Sequence, residues 1–152
     1  MDPSIVSPWS SNWAWSLPLI VATVVIHAFG LGVLYERICL FLKGREKMGF
    51  SRGVSAMIMG FTALYATILH AFETSLWAAT FFMLGAAPDR KSAMLYSLGA
   101  MTTYGHANIH LDLHWQLMGT LEALNGWILF GLTAALLFAV MQKVSPGVSP
   151  GD

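Results

Sequence analysis

The sequence predicts an all-α membrane protein with three transmembrane helices and one shorter helix. Of its 152 residues, 56% are hydrophobic and only 11% are charged, and the mean hydropathy is +0.62. The apolar share is well above that of an ordinary soluble domain. Three apolar runs are long enough to cross a bilayer as helices, whereas a fourth helical stretch, between the second and the third run, is too short.

The first span is predicted at residues 17–35, which are almost entirely apolar. A helix of this length rises about 28 Å, at about 1.5 Å per residue, and so can span a bilayer. Trp9, Trp13 and Trp15 precede it, where amphipathic rings favour the membrane–water interface. Basic residues dominate the connection that follows: Arg37, Lys43, Arg45, Lys47 and Arg52. This excess of positive charge predicts that the connection is cytoplasmic and that the N-terminus faces outside.

The second apolar run, residues 54–87, contains His70 and Glu73. Division of the run at these two residues would leave two pieces too short to cross a bilayer, so one long, tilted helix is predicted. Residues 93–103 have a helical composition but reach only about half the thickness of a membrane. This helix is therefore predicted to be re-entrant or peripheral. Residues 117–141 form the third predicted span, which ends in the cytoplasm.

A polar loop follows the half-length helix. Backbone that is not helical is tolerated at membrane depth only where protein or a water-filled cavity satisfies its polar groups. The loop residues are Thr102, Thr103, Tyr104, Gly105, His106, Ala107 and Asn108. Position for position, they resemble the potassium-channel selectivity filter T-T-x-G-Y-G-D, and both threonines and the first glycine match.

The resemblance extends to both sides of this loop and covers roughly the last 80 residues, which approaches the size of a domain. Upstream residues resemble the outer helix and turret of small bacterial ion-channel proteins: His70, Glu73, Trp77, Ala78, Gly85, Ala86, Pro88 and Asp89. Downstream residues resemble the inner helix of the same proteins: Trp115, Gly119, Glu122, Ala123, Asn125, Gly126, Phe130, Gly131, Thr133 and Ala134. The chain therefore resembles the small bacterial potassium-channel-like family.

The resemblance implies a potassium-channel-like pore module, in which carbonyl oxygens and a threonine hydroxyl from four subunits replace the hydration shell of the ion. Residues 53–144 would form this pore domain, with an outer helix, a re-entrant pore helix, a filter loop and an inner helix. Residues 1–52 would add an outer segment, a peripheral transmembrane helix and a basic cytoplasmic loop, and residues 145–152 a flexible tail. The implied protein is a homotetramer in a bacterial inner membrane that conducts K⁺ and/or Na⁺ passively and needs no cofactor.

The loop departs from the family filter at three positions. His106 replaces the filter tyrosine, Ala107 replaces the second glycine and Asn108 replaces the aspartate. Where the family glycine is left-handed, an alanine costs about 1–2 kcal/mol per subunit. The sequence therefore predicts a pore with altered or weak selectivity for potassium.

Three further residues have two interpretations each. Glu122 lies within the third span, where a carboxylate normally faces protein or water. It either braces the filter, by bonding backbone N–H groups or Tyr96, or is a satisfied structural carboxylate. Gly126 and Gly131 form either a gating hinge of the inner helix or a site of close packing between helices.

A metal site is the alternative function. His106, His110 and His114 recur every fourth residue beside Asp112, a spacing that would align three imidazoles on a helix. Zinc, copper or nickel would suit such a cluster, and the protein would then bind or transport metal. The alternation of apolar residues between these histidines instead favours an extended loop.

Other functions find less support in the sequence. A haem held by His27 and His70 from adjacent spans would be a membrane haem site, but no attachment motif is present. Neither Cys39 nor any serine has a recognisable base partner, so no enzyme activity is predicted. A formal net charge of +0 gives no field that would attract nucleic acid.

Overall fold

The computed structural model describes residues 8–43, 51–105 and 109–144. These ranges contain four α-helices and a short 3-10 turn, and no strand. The helices are α1 (Pro8–Leu42), α2 (Arg52–Met83), α3 (Arg90–Met101) and α4 (Gln116–Val144), and the 3-10 turn, Leu113–Trp115, precedes α4. The prediction of an all-α fold is confirmed for this part of the chain.

Three of these helices are long and apolar enough to cross a membrane: Trp9–Leu42, Arg52–Met83 and Leu113–Val144. The prediction of three transmembrane helices is thereby confirmed at the level of length and composition. At about 1.5 Å per residue, each exceeds the roughly 30 Å of a hydrocarbon core, so tilt or projection beyond the core is required. As predicted, α2 continues through His70 and Glu73 without a break.

Local hydrogen bonds and one glycine explain where α2 and α3 begin and where α2 ends. The Ser51 hydroxyl accepts a hydrogen bond from the Val54 amide and caps α2, and the Asp89 carboxylate accepts one from the Ser92 amide and caps α3. Gly85 ends α2 in the left-handed region, with φ of +65°. The Ala86 amide then bonds the Phe81 carbonyl, which satisfies an orphan carbonyl of the last turn of α2.

Helix α1 lies parallel to α4, and contacts at both ends define this arrangement. At one end the Asn12 side chain bonds the start of α4, through the Met118 amide. At the other end Leu34 and Ile38 of α1 form an apolar cluster that includes Val140 of α4. The same face of α1 is therefore buried from its first turns to its last.

Helix α3 lies between α2 and α4 and is much shorter than either. Trp77 and Phe81 of α2 are fully buried beside it, and the ring of Tyr96 on α3 packs edge-on against Phe81 with 5.5 Å between ring centroids. The last residue of α3, Met101, places its carbonyl group against Gly126 of α4. The end of α3 is thus fixed about one third of the way along α4.

Candidate functional site

The loop predicted as a filter contains two left-handed residues in its described part. Thr103 has φ of +56° and Gly105 has φ of +79°. The Gly105 amide bonds back to the Gly99 carbonyl at 3.3 Å, so the chain folds over the end of α3. Gly105 adopts this conformation without a steric penalty, whereas a β-branched residue such as Thr103 is strained there. Strained backbone of this kind is typical of functional sites.

The first residues of the loop are exposed in the single chain. Thr102, Thr103, Tyr104 and Gly105 all face outward, and the Tyr104 side chain is 91% exposed. The three positions that depart from the family pattern, His106, Ala107 and Asn108, lie outside the described residues. Their predicted role in ion conduction stays a prediction.

The loop then returns to the end of the molecule from which α3 starts. The Asp112 amide donates to the Ala86 carbonyl at 3.0 Å, and Leu111 beside it is buried. Residues 109–112 are not helical, as the alternation of apolar residues indicated. His110 and His114 are exposed, and no metal-ligand group forms from them among the described residues. The loop-histidine cluster depends on His106 and stays a prediction.

Glu122 of α4 is fully buried and is linked to α3 through the hydroxyl of Ser97. The Ser97 hydroxyl lies within hydrogen-bonding distance both of Glu122 Oε1 and of the Thr74 carbonyl. A hydroxyl carries one hydrogen, so Ser97 donates to only one of these oxygens. Both bonds form when Glu122 carries a proton and donates to Ser97, which then donates to Thr74. The other carboxyl oxygen, Oε2, has no hydrogen-bond partner among the described residues.

The structure therefore links Glu122 to α3 through Ser97, a partner that the sequence analysis did not name. Tyr96, the predicted partner, places its hydroxyl against Gly119, where even a methyl group would overlap with it. Gly126 is likewise in close contact, with the Met101 carbonyl, whereas Gly131 faces open space. Close packing is thus observed at Gly126, and a gating hinge at either glycine stays a prediction.

A stripe of polar side chains on α1 bonds α4. The Asn12 amide donates to the His114 carbonyl at 2.7 Å and accepts from the Met118 amide at 2.8 Å. Farther along, the Asn125 amide donates to the Thr23 hydroxyl at 2.8 Å. A buried side chain that satisfies backbone groups at a helix start contributes about 1 kcal/mol or more. The stripe therefore fixes the register of α1 against α4.

The stripe ends in a buried cluster of four side chains, which we call the His–Glu cluster: His27, His70, Glu73 and Thr133. His27 Nδ1 lies 2.9 Å from Glu73 Oε1 and 3.1 Å from Oε2, and His27 Nε2 lies 2.9 Å from the Thr133 hydroxyl oxygen. His70 Nε2 lies 3.0 Å from the same hydroxyl, and His70 Nδ1 lies 3.7 Å from Glu73 Oε2. His27, His70 and Glu73 each offer one atom that could bind a metal ion, and these three atoms lie within 4.8 Å of one another.

The cluster joins α1, α2 and α4 within the apolar part of the molecule. His27 and Glu73 are fully buried, and His70 is partly exposed. The sequence predicts His70 and Glu73 within one helix and pairs His27 with His70 only as possible haem ligands, so it does not bring the three residues together. The rings of His27 and His70 are only 4.7 Å apart between centroids and share one hydroxyl partner. A porphyrin does not fit between them, so the haem alternative is inconsistent with this geometry.

A cavity of about 490 Å³ connects the His–Glu cluster with the predicted filter loop. His70 and Thr74 of α2 line one side, and Thr102 and Thr103 line the end of α3. Gly126 and other residues of α4 complete the wall. The partly exposed imidazole of His70 therefore opens into the same space as the first two residues of the loop.

No family model, curated protein or solved structure matches this chain. The resemblance to potassium-channel-like proteins rests on the sequence pattern alone.

Proposed function

We propose that this protein is the subunit of a tetrameric pore-loop cation channel that conducts K⁺ and/or Na⁺ passively across a membrane. The observation that carries the proposal is the position of α3, which ends against Gly126 in the interior of α4 and is followed by an exposed, left-handed turn at Thr103 and Gly105. A pore-loop filter requires such a turn at the depth of the hydrocarbon core.

The contacts of α3 support a re-entrant helix. Gly126 lies ten residues after Gln116, the first residue of α4, which is about 15 Å along a helix and half of a roughly 30 Å hydrocarbon core. Met101 reaches this depth, and the chain then returns to Asp112, which bonds Ala86 at the end where α3 begins. These contacts support a segment that enters and leaves the membrane on the same side.

Electrostatics favour a cation at the end of α3. The carboxyl end of a helix carries a partial negative charge because the peptide dipoles of the helix are aligned. Thr102 and Thr103 add hydroxyl groups at this end, and backbone carbonyl groups follow through Gly105. These are oxygen donors of the kind that replace water around a monovalent cation.

A single loop does not surround an ion, so the proposal requires several copies of the chain. Large apolar side chains of α3 and α4 are exposed in the single chain and provide surface for contacts with neighbouring copies: Leu95, Leu98, Leu124, Trp127 and Ile128. Four loops around a central axis would give the coordination that potassium-type filters use. The excess of basic residues between α1 and α2 supports a cytoplasmic location for that connection, with the N-terminus outside.

Flux measurements on the purified protein in liposomes test this function. The wild-type chain is expected to pass K⁺ and Na⁺ with weak discrimination. Gly105→Ala is expected to abolish most of the flux, because a methyl group at this left-handed position costs about 1–2 kcal/mol in each subunit. Gly60→Ala in α2 is the matched control, since its added methyl group faces open space and Gly60 has no predicted role in the pore. Absence of flux from tetrameric wild-type protein, or equal flux from wild type and Gly105→Ala, would refute the proposed function.

A further inference from the structure

We propose that the His–Glu cluster is a binding site for a divalent transition-metal ion, zinc above all, held inside the membrane by His27 of α1 and by His70 and Glu73 of α2. The inference goes beyond the proposed channel function and concerns a single chain. It follows from the positions of the donor atoms, from the hydrogen bonds behind them and from the access to His70.

The donor atoms already have nearly the spacing that a small metal ion needs. Around a tetrahedral zinc ion with bonds of about 2.0–2.2 Å, neighbouring nitrogen and oxygen ligands lie about 3.3–3.5 Å apart. His27 Nδ1 lies 2.9 Å from Glu73 Oε1, His70 Nδ1 lies 3.7 Å from Glu73 Oε2, and the three residues offer donor atoms within 4.8 Å of one another. Side-chain adjustments of less than about 1.5 Å would bring three ligands around one ion.

Thr133 orients both imidazole rings for this role. Its hydroxyl oxygen lies 2.9 Å from Nε2 of His27 and 3.0 Å from Nε2 of His70, so both Nδ1 atoms are directed towards Glu73. An imidazole that binds metal through Nδ1 carries its hydrogen on Nε2. The two lone pairs of the Thr133 oxygen can accept both of these hydrogens. Such hydrogen bonds behind the ligands fix the tautomer and the ring orientation in metal sites.

The charge of the cluster also favours a cation. Glu73 is fully buried, and its ion-pair partners among the described residues are the two histidines. A carboxylate within a membrane is costly unless a partner compensates its charge. A divalent ion would compensate it while the two imidazoles stay neutral. Two histidines and one carboxylate are a ligand set of zinc sites that keep a fourth position open.

The ligand types discriminate between metals. Calcium and magnesium prefer oxygen ligands and larger or octahedral coordination, which this cluster does not offer. Imidazole nitrogen suits zinc, copper and nickel. His70 lines the cavity of about 490 Å³ together with Thr74, Thr102 and Thr103, so an ion reaches the cluster through a space with several hydroxyl groups.

Metal binding by the purified, chelator-treated protein tests the inference. Zinc titration against a competing chelator is carried out on the full chain with His106→Gln, His110→Gln and His114→Gln, which removes the three loop histidines but leaves the His–Glu cluster intact. One zinc ion per chain is expected. Substitution of cobalt for zinc should give the intense visible absorption of a tetrahedral site. This measurement requires no mutation of the His–Glu cluster.

Two variants in the same background locate the site. His70→Gln, at the partly exposed ligand, should abolish stoichiometric binding, and Thr133→Val should weaken it by about 10–100-fold, as loss of a hydrogen bond behind a ligand does. If the triple variant that lacks the loop histidines binds no zinc, the site lies in the loop and the proposal is overturned. Unchanged affinity in His70→Gln would overturn it as well. Zinc binding is measured without ion flux, so failure of the metal-site proposal can be distinguished from failure of the channel proposal.

Discussion

The carbonyl oxygen of Met101, at the end of α3, faces Gly126 of α4 so closely that no side chain fits between the two helices. Glycine at such a contact lets two membrane helices approach each other. Since the opposing group is backbone, rotation of a side chain cannot relieve an overlap. Gly131, five residues farther along α4, has no neighbouring atom within 4 Å of an added methyl group.

Gly126→Ala is therefore expected to displace the end of α3 and to lower the stability by about 1–3 kcal/mol, the usual cost of overpacking. Gly131→Ala should be neutral or slightly stabilising, because alanine favours a helix over glycine by up to about 1 kcal/mol. Thermal unfolding of both variants in the same detergent measures the difference. Equal midpoints would contradict the close contact at Gly126.

Asn12 is expected to stabilise the attachment of α1 to the start of α4. Asn12→Ala leaves the buried Met118 amide without its acceptor, at a cost of about 1–3 kcal/mol. Hydrogen exchange at the Met118 amide should become faster. Val21→Ala, at a position of α1 that is 62% exposed, is the control and should leave that amide protected. Equal exchange in both variants would show that another group protects the start of α4.

The hydrogen bonds of Ser97 predict that Glu122 is a neutral acid. Glu122→Gln should change the stability by less than about 1 kcal/mol, because an amide can donate to the Ser97 hydroxyl as the acid does. Infrared spectroscopy should detect a carboxylic acid C=O stretch at neutral pH that disappears in Glu122→Gln. Glu36→Gln, which alters an exposed carboxylate, should retain this band. Absence of the band from the wild type would show that Glu122 is ionised.

The start of α3 is expected to loosen in acid. Hydrogen bonds from the hydroxyl and the amide of Ser92 hold the pKa of Asp89 below its usual range, because both favour the charged carboxylate. Because the pKa of Asp89 is depressed in the folded protein, this contribution to stability is complete above the unfolded-state pKa of about 3.8. It is lost as the pH falls through the lower folded-state pKa. The Ser92 amide resonance should therefore titrate in acid in the wild type.

Asp89→Asn is the matched variant, since asparagine also caps a helix but does not titrate in this range. It should retain the Ser92 hydrogen bond and lose the pH dependence, whereas Asp89→Ala should lose the hydrogen bond at every pH. Persistence of the same titration in Asp89→Asn would assign it to another group.

Much of the fold was predictable because membrane helices are governed by local sequence. Division of residues 54–87 at His70 and Glu73 would leave two pieces too short to span a membrane, so one helix was predicted. Helix α2 indeed continues through both residues. Helix α3 was predicted at residues 93–103 and is found at Arg90–Met101. The shift reflects the cap at Asp89, which starts the helix earlier than its composition indicates.

The polar contacts between helices were not predictable from one sequence. The partners of His27 are Glu73 and Thr133, which lie 46 and 106 residues away in the sequence. Helical periodicity defines which side of α1 is polar and does not define which helix packs there. Likewise, Ser97 and Tyr96 are neighbours in sequence, and only the rotation of α3 about its axis decides which of them bonds Glu122.

The polar stripe of α1 also has a consequence for biosynthesis. The partners of this stripe in α4 lie more than 100 residues later in the chain: Met118 for Asn12, Asn125 for Thr23 and Thr133 for His27. Helix α1 therefore leaves the ribosome before these partners have been made. The Thr23 hydroxyl also donates to the Leu19 carbonyl within α1, and His27 gains Glu73 once α2 has been made. Asn12, by contrast, bonds the His114 carbonyl and the Met118 amide at the start of α4. We therefore expect that integration of the last helix completes the attachment of the first one, and that a nascent chain arrested before α4 would be an early substrate for membrane quality control.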